Sequence, residues 1–229
     1  MRSPHRGVDA RRAWATFVPA LVLAWLGLSQ VVVVVRGLAV LSANPSWTVA
    51  SEITRSALYA TFVIGAVVIL LSSKGPRARD HRRVAVATSL TATFLMLGLS
   101  FLPAGPALWG ASSKVDQVGL ALTVVGAALA LTSFLCLGAN SSIAAEAREL
   151  VVTGPYRVLR HPIYAAELMM IAGVVVAYPR LSTLLGALAV MGLQIYRIQT
   201  EERLLRDNFA ASFADFAERT RYRLVPLLW

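Results

Sequence analysis

The chain has 229 residues, of which 57% are hydrophobic and 15% charged. Soluble domains carry about 25% charged residues, so this one has too little polar surface to cover itself in water, and a water-soluble domain is excluded. The formal net charge of +10 would suit a nucleic-acid partner. However, the Lys and Arg sit in short segments between apolar blocks, without the interleaved aromatics that stack bases, so anionic lipid headgroups are the expected partner of the charge.

Apolar blocks run over residues 14–35, 56–71, 84–102, 117–137, 163–178 and 181–198. A membrane-spanning helix needs about 20 residues, with about 17 the lower end. The first, third and fourth blocks are long enough alone; the second and fifth must borrow flanking residues or lie against protein. The first block is longer than the roughly 7–15 apolar residues of a signal sequence and is expected to be retained. Cys136, the single cysteine, lies inside the fourth block, so neither an intramolecular disulfide nor a cysteine metal cluster is expected. The last two blocks are separated only by Tyr178, Pro179 and Arg180, a tight helical hairpin. Beyond Ile198, Leu205, Phe209, Phe213 and Phe216 recur at spacings of four, four and three, with Arg206, Asp207, Asp215 and Glu218 between them. Such a stripe predicts a C-terminal cytoplasmic amphipathic helix lying among headgroups or folded over the core. The expected fold is all-α: a polytopic membrane protein of about six transmembrane helices, forming a single domain over 1–229 with its N-terminal spans in 1–137.

Charge counting predicts the orientation. Segments 1–13, 74–83, 138–161 and 197–229 hold 4, 5, 3 and 6 Lys or Arg, which is 18 of the 22. The other side holds Arg36, Arg55, Lys114 and Arg180. With an even number of spans, the positive-inside rule puts both termini in the cytoplasm.

Two polar clusters flank the final hairpin at its basic end. The first is GPYRVLRHPIY, residues 154–164. Gly154 and Pro155 turn the chain, and Pro162 suits the first turn of a helix, where its missing N–H costs nothing. His161, Tyr164 and Glu167 are then three apart and share a helix face. The helix start with Arg157 and Arg160 is a candidate anion site. The second cluster is Gln194, Arg197, Glu201 and Glu202, of which the first three fall on one stripe; antiparallel hairpin geometry brings it toward His161 and Tyr164. Each residue also has a structural reading. Arg157 and Arg160 suit headgroup anchoring, His161 a boundary position, and Glu201/Glu202 a solvated helix paired with Arg197 and Arg206. Glu167 is harder to read that way, because an ionisable residue one turn into a span is costly.

The stretch LVVTGPYRVLRHPIYAAELMMIAG, followed by YRIQTEERLL and a closing RLVP, resembles the isoprenylcysteine carboxyl methyltransferase and phospholipid methyltransferase group, integral membrane enzymes that use S-adenosylmethionine. The resemblance covers 138–229, a methyltransferase-like catalytic part; the earlier spans match in hydropathy alone. It implies a methyl-donor site lined by His161, Pro162, Tyr164, Tyr156, Arg160 and the backbone from Val151 to Gly154, with Glu201 and Glu202 holding the donor's polar groups. It also implies that Arg197 handles the acceptor, with Tyr164 and Glu167 beside the chemistry. Phe213 and Phe216 stand where the family usually has tyrosines, Ala210 replaces a common glycine, and the spacing to Pro226 is one residue longer. The Ala- and Val-rich, Arg-over-Lys composition points to a high-GC bacterium, hence an inner membrane and an acceptor other than a prenylated protein.

Methyl transfer from a sulfonium is an in-line displacement, so the protein must bind the donor, exclude water and align the acceptor. A carboxylate acceptor is already nucleophilic, whereas an amine must lose a proton, for which Glu167 or Tyr164 is a nearby relay. The expected acceptor is lipid-like or a hydrophobic small molecule carrying a carboxylate, amine or thiol, and no metal is required. Membrane sterol and steroid reductases, which use NADPH, resemble the same last helices. Their motif places Asn where this chain has His161 and Gly where it has Ala166. A non-catalytic membrane scaffold is the third alternative.

Overall fold

A computed structural model of the chain describes residues 6–72, 78–79, 91, 95, 108–110, 112–137, 146–147 and 151–226. Among the described residues six α-helices are defined: α1 (Arg6–Ala43), α2 (Trp47–Ser72), α3 (Ser113–Leu137), α4 (Pro162–Ala177), α5 (Leu181–Asn208) and α6 (Ala210–Arg219). The predicted span over 84–102 lies outside the described residues, apart from Thr91 and Leu95, which are helical. A two-residue antiparallel ladder pairs Ala78 with Ala147 and Arg79 with Glu146.

Among the described residues three helices are long and apolar enough to cross a membrane: Ala20–Ala43 within α1, Ser113–Leu137 and Leu181–Asn208. Their outward faces carry large apolar side chains, Leu21, Trp25 and Leu28 on α1 and Leu131 and Leu135 on α3. In water such a surface would be untenable, whereas in hydrocarbon it is matched to its solvent. The chain is an integral membrane protein. α2 reaches back to Trp47, nine residues before the predicted block, so the second segment does borrow flanking residues. α4 has 16 residues, and its N-terminal half is largely buried by protein.

Lipid gives no hydrophobic drive for one helix to leave it for another, so close contact must come from shape and polar pairing. On α3, Gly119, Thr123, Gly126, Ala130 and Ser133 are buried, a seam of small residues at spacings of four, three, four and three. α4 lies directly on it: a Cβ at Gly119 would stand 2.7 Å from the Gly173 carbonyl oxygen, and one at Gly126 would stand 2.9 Å from that of Ala166. The hydroxyls of Thr123 and Ser133 donate to carbonyls of their own helix, Gly119 and Leu129, leaving the seam without an unpaired donor. Leu23 and Leu26 of α1, Val63 of α2, Ile171 of α4 and Val190 of α5 close the bundle interior.

At one end of α3 a polar knot ties three elements. The Arg55 guanidinium of α2 donates to the Asp116 carboxylate at 2.5 Å and to its backbone carbonyl at 3.0 Å. Trp47 donates its indole N–H to the other Asp116 oxygen at 2.8 Å, and Arg55 lies over the Tyr178 ring, 5.5 Å from its centroid. Tyr178, Pro179 and Arg180 form the predicted tight turn between α4 and α5.

The C-terminal stripe departs from its expectation. α5 runs without interruption to Asn208, but the chain breaks at Phe209, and α6 starts afresh at Ala210. The stripe is thus divided between two helices. Phe213 and Phe216 are buried, while Asp215, Glu218 and Arg219 are exposed. Folding the apolar face of α6 inward requires a turn that one straight helix cannot make.

Two substitutions probe this packing. Gly173→Leu is expected to overpack the α3–α4 seam and lower stability by about 1–3 kcal/mol. Asp116→Ala, which strands the buried Arg55 guanidinium, is expected to cost about 3–5 kcal/mol. Thermal unfolding of detergent-purified protein reads both, and unchanged melting would mean that neither contact bears on stability.

Candidate active site

The other end of α3 meets the segment before α4. Thr153 is extended and Gly154 takes a left-handed φ of +58°. A side chain there would also collide with the Cys136 sulfur on α3, so glycine is required twice over. Residues Gly154–Arg157 form a 3-10 turn that buries Tyr156. Burial, reinforced by the charge of Glu201, pushes the Tyr156 phenol above its ordinary range, so it stays protonated. Val151 is half-buried and Arg157 exposed. His161 is the N-cap of α4 and Pro162 its first residue, as the sequence pattern predicts.

α4 lies backbone to backbone against α3 but reaches α5 chiefly through side chains, and that space is polar. The Gln194 amide donates to the buried Glu167 carboxylate. Arg197 lies over the Tyr164 ring at 4.9 Å, the Tyr164 hydroxyl donates to Glu201 at 2.7 Å, and the His161 and Tyr164 rings stack at 5.6 Å. His161, Tyr164, Glu167, Gln194 and Arg197 are all buried. The hairpin thus brings together the two clusters that the sequence separates by thirty residues and more. Among the described residues, the Gln194 Oε1 is a buried acceptor without a partner.

Glu201 and Glu202, adjacent in sequence, have different surroundings. The Glu201 side chain is 30% exposed and that of Glu202 1%. Glu202 accepts at Oε1 from Arg160 Nη1 and Arg223 Nε, both at 3.0 Å, and at Oε2 from Arg206 at 2.8 Å and Arg223 Nη2 at 2.9 Å. His161 Nε2 approaches to 3.4 Å. Arg160, read from sequence as half of an anion site, is turned inward: it donates to Glu202 and to the carbonyls of Thr220, Ala217 and Arg221.

The last described residues complete this end. Leu159 and Tyr222 form a parallel bridge. The amides of Arg160 and His161 donate to the carbonyls of Tyr222 and Arg223 at 2.9 and 3.0 Å, and Leu224 packs on Tyr164 and Ile198. Arg223 was missed by the sequence reading. It stands inside the RLVP motif, but nothing in the pattern says that an arginine twenty-one residues after Glu202 returns to it. The α3 seam was also missed, although GxxxTxxGxxxAxxS was visible inside the fourth block. Among the described residues, no three His, Cys, Asp or Glu side chains gather as a metal site.

Removing Glu202 strands a cluster of cations around a buried position. Glu202→Ala is expected to lower stability by about 3–5 kcal/mol. Arg206→Ala, whose side chain is 56% exposed, should cost no more than about 1 kcal/mol. Denaturation in detergent distinguishes them, and equal effects would contradict the burial difference.

Comparison with known proteins places this geometry. No curated protein matches the chain. Residues 115–212 match the family model for phospholipid methyltransferase, a stretch that runs from the first turn of α3 through α4 and α5 into α6. It contains His161, Tyr164, Glu167, Gln194, Arg197 and both glutamates, and stops before Arg223. The buried polar cluster therefore lies within the stretch, 98 of the 229 residues, that is similar to the phospholipid methyltransferase family.

Proposed function

We propose that the chain is an S-adenosylmethionine-dependent methyltransferase acting on a membrane-embedded or hydrophobic acceptor at the cytoplasmic face, with both termini on that side. The observation that carries this reading is the cluster of buried His161, Tyr164, Glu167, Gln194 and Arg197 between α4 and α5, with the partly exposed Glu201 beside it, inside the matched stretch. The orientation rests on the charge count with six spans, of which the one expected over 84–102 lies outside the described residues apart from Thr91 and Leu95.

The residues suit the donor. Its amino and hydroxyl groups need acceptors, and the half-exposed Glu201 carboxylate and the unpartnered Gln194 Oε1 are available. The backbone of 151–154 and the Tyr156 ring form the adjoining surface, and His161 and Pro162 close it at the start of α4. When bound, the donor supplies an electrophilic methyl on a sulfonium, and the departing thioether needs no general acid. The protein's part is then exclusion of water and alignment. Arg197, a buried cation over Tyr164, orients an acceptor that carries negative charge. For an amine acceptor, the Glu167 carboxylate or the Tyr164–Glu201 pair takes up the proton. The apolar outer faces of the helices admit an acceptor from the bilayer, whereas a soluble donor enters from the basic side.

Calorimetry on purified protein is expected to show S-adenosylmethionine binding in the micromolar range, lost in His161→Ala with the fold retained. At donor one hundred times its Kd, the thermal shift should correspond to about 2.7 kcal/mol, and NADPH should give none. Absence of donor binding, or a shift with NADPH alone, overturns the reading. Isotope-labelled donor incubated with protein and lipid extract, followed by mass spectrometry, identifies the acceptor and the methylated atom.

A further inference from the structure

Glu201 and Glu202 form a pair in sequence but not in chemistry. An ionised carboxylate has about four lone-pair positions. On Glu202, four guanidinium N–H groups from Arg160, Arg206 and Arg223 take them, with His161 Nε2 at 3.4 Å besides. Glu202 therefore keeps no free acceptor position for a ligand. The Glu201 side chain is 30% exposed, and its described contacts, the hydrogen bond from Tyr164 and the approach of His161 Nδ1 to 4.0 Å, both fall on Oε2.

The cations on Glu202 come from separate parts of the chain, and two of them belong to one arrangement. Arg223 grips Glu202 through two N–H groups while its carbonyl accepts from the His161 amide. Arg160 reaches Glu202 from the other side while holding the carbonyls of Ala217, Thr220 and Arg221. The segment 220–224 therefore touches both walls of the cluster, the start of α4 through backbone hydrogen bonds and the end of α5 through Glu202. Thr220 also donates to the Tyr156 carbonyl at 3.3 Å. Arg223 lies beyond the residues that the family model matches.

We propose that Glu202 is a positioning residue rather than a donor ligand, and that segment 220–224, clamped to it by Arg223 and Arg160, is a structural wall of the donor site. Glu202 acts on the donor through His161 and the α4 start; Glu201 alone of the two meets it directly. The donor part of this inference rests on the methyltransferase reading, whereas the clamp itself does not.

The test compares full-length Glu202→Gln, Arg223→Ala, Arg223→Lys and Glu201→Gln by hydrogen exchange and by calorimetry with S-adenosylmethionine. In Glu202→Gln and Arg223→Ala, the amides of Arg160 and His161 should exchange at least tenfold faster, with those of the α3 seam unchanged, and donor affinity should fall at least tenfold. The double variant should fall no further than the weaker single, because Arg223 acts through Glu202. Arg223→Lys, which keeps the charge but not the fork, should recover part of the affinity and return kcat at saturating donor to near the parent value. Glu201→Gln should weaken binding without faster exchange. A Glu202→Gln protein with weakened binding and unchanged exchange would make Glu202 a direct ligand and overturn the proposal, as would faster exchange with full affinity. If the parent chain binds no donor, the methyltransferase reading fails, and unchanged exchange in Arg223→Ala then overturns the clamp separately.

Discussion

The carboxylate of Glu202 is buried where an unpaired charge could not persist, and that requirement organises the end of the molecule where α4 begins and α5 ends. Desolvating a carboxylate costs several kcal/mol unless cations and hydrogen bonds replace the lost water. Arg160 from the segment before α4, Arg206 one turn further along α5 and Arg223 from the C-terminal segment supply them. A chain that satisfies this one group has already set the start of α4, the end of α5 and the C-terminus in register. The hydrogen bonds from Arg160 and His161 to residues 222 and 223 follow from that register, as does the burial of Leu224 against Tyr164.

The rest of the bundle meets a different constraint. Between helices in lipid, burial of apolar surface gains little, so association depends on close approach and on polar ties. Along α3 the two are distributed by position. Asp116, near one end, holds Arg55 and Trp47; Gly119, Gly126 and the small residues between them and Ser133 admit α4; Cys136, about 30 Å from Asp116 along the axis, backs the Gly154 turn. The site is therefore positioned from α3 through α4, while α5 approaches α4 mainly through the long polar side chains that make the cluster.

That distance between α4 and α5 has a functional meaning. Two apolar helices packed as tightly as α3 and α4 would leave no room for Tyr164, Glu167, Gln194 and Arg197. Among these buried groups, Gln194 donates to Glu167 and Arg197 lies over the Tyr164 ring, while among the described residues the Gln194 Oε1 is left as an acceptor without a partner. The family match runs over this part of the chain, whereas the C-terminal clamp that braces it is a feature of the tertiary structure.

Much of this was determined by local chemistry and legible in the residues. Apolar runs longer than a globular helix needs can only be lipid-facing or deeply buried. Gly-Pro before His-Pro must turn the chain and start a helix, and a three-residue link between two apolar blocks must return it. Residues three and four apart share a helix face wherever the helix goes, so His161, Tyr164 and Glu167, and likewise Gln194, Arg197 and Glu201, could be grouped in advance. Tertiary structure alone decided what divides Glu201 from Glu202. Neighbours on a helix point about 100° apart, one toward Tyr164 and one toward a knot of arginines, and only the folded chain shows which. It also decided that Phe209 breaks the helix, because turning Phe213 and Phe216 inward depends on a surface made by distant residues. Arg223 returns to Glu202 for the same reason: a buried charge selects its partners by space, and separation along the chain carries no record of that choice.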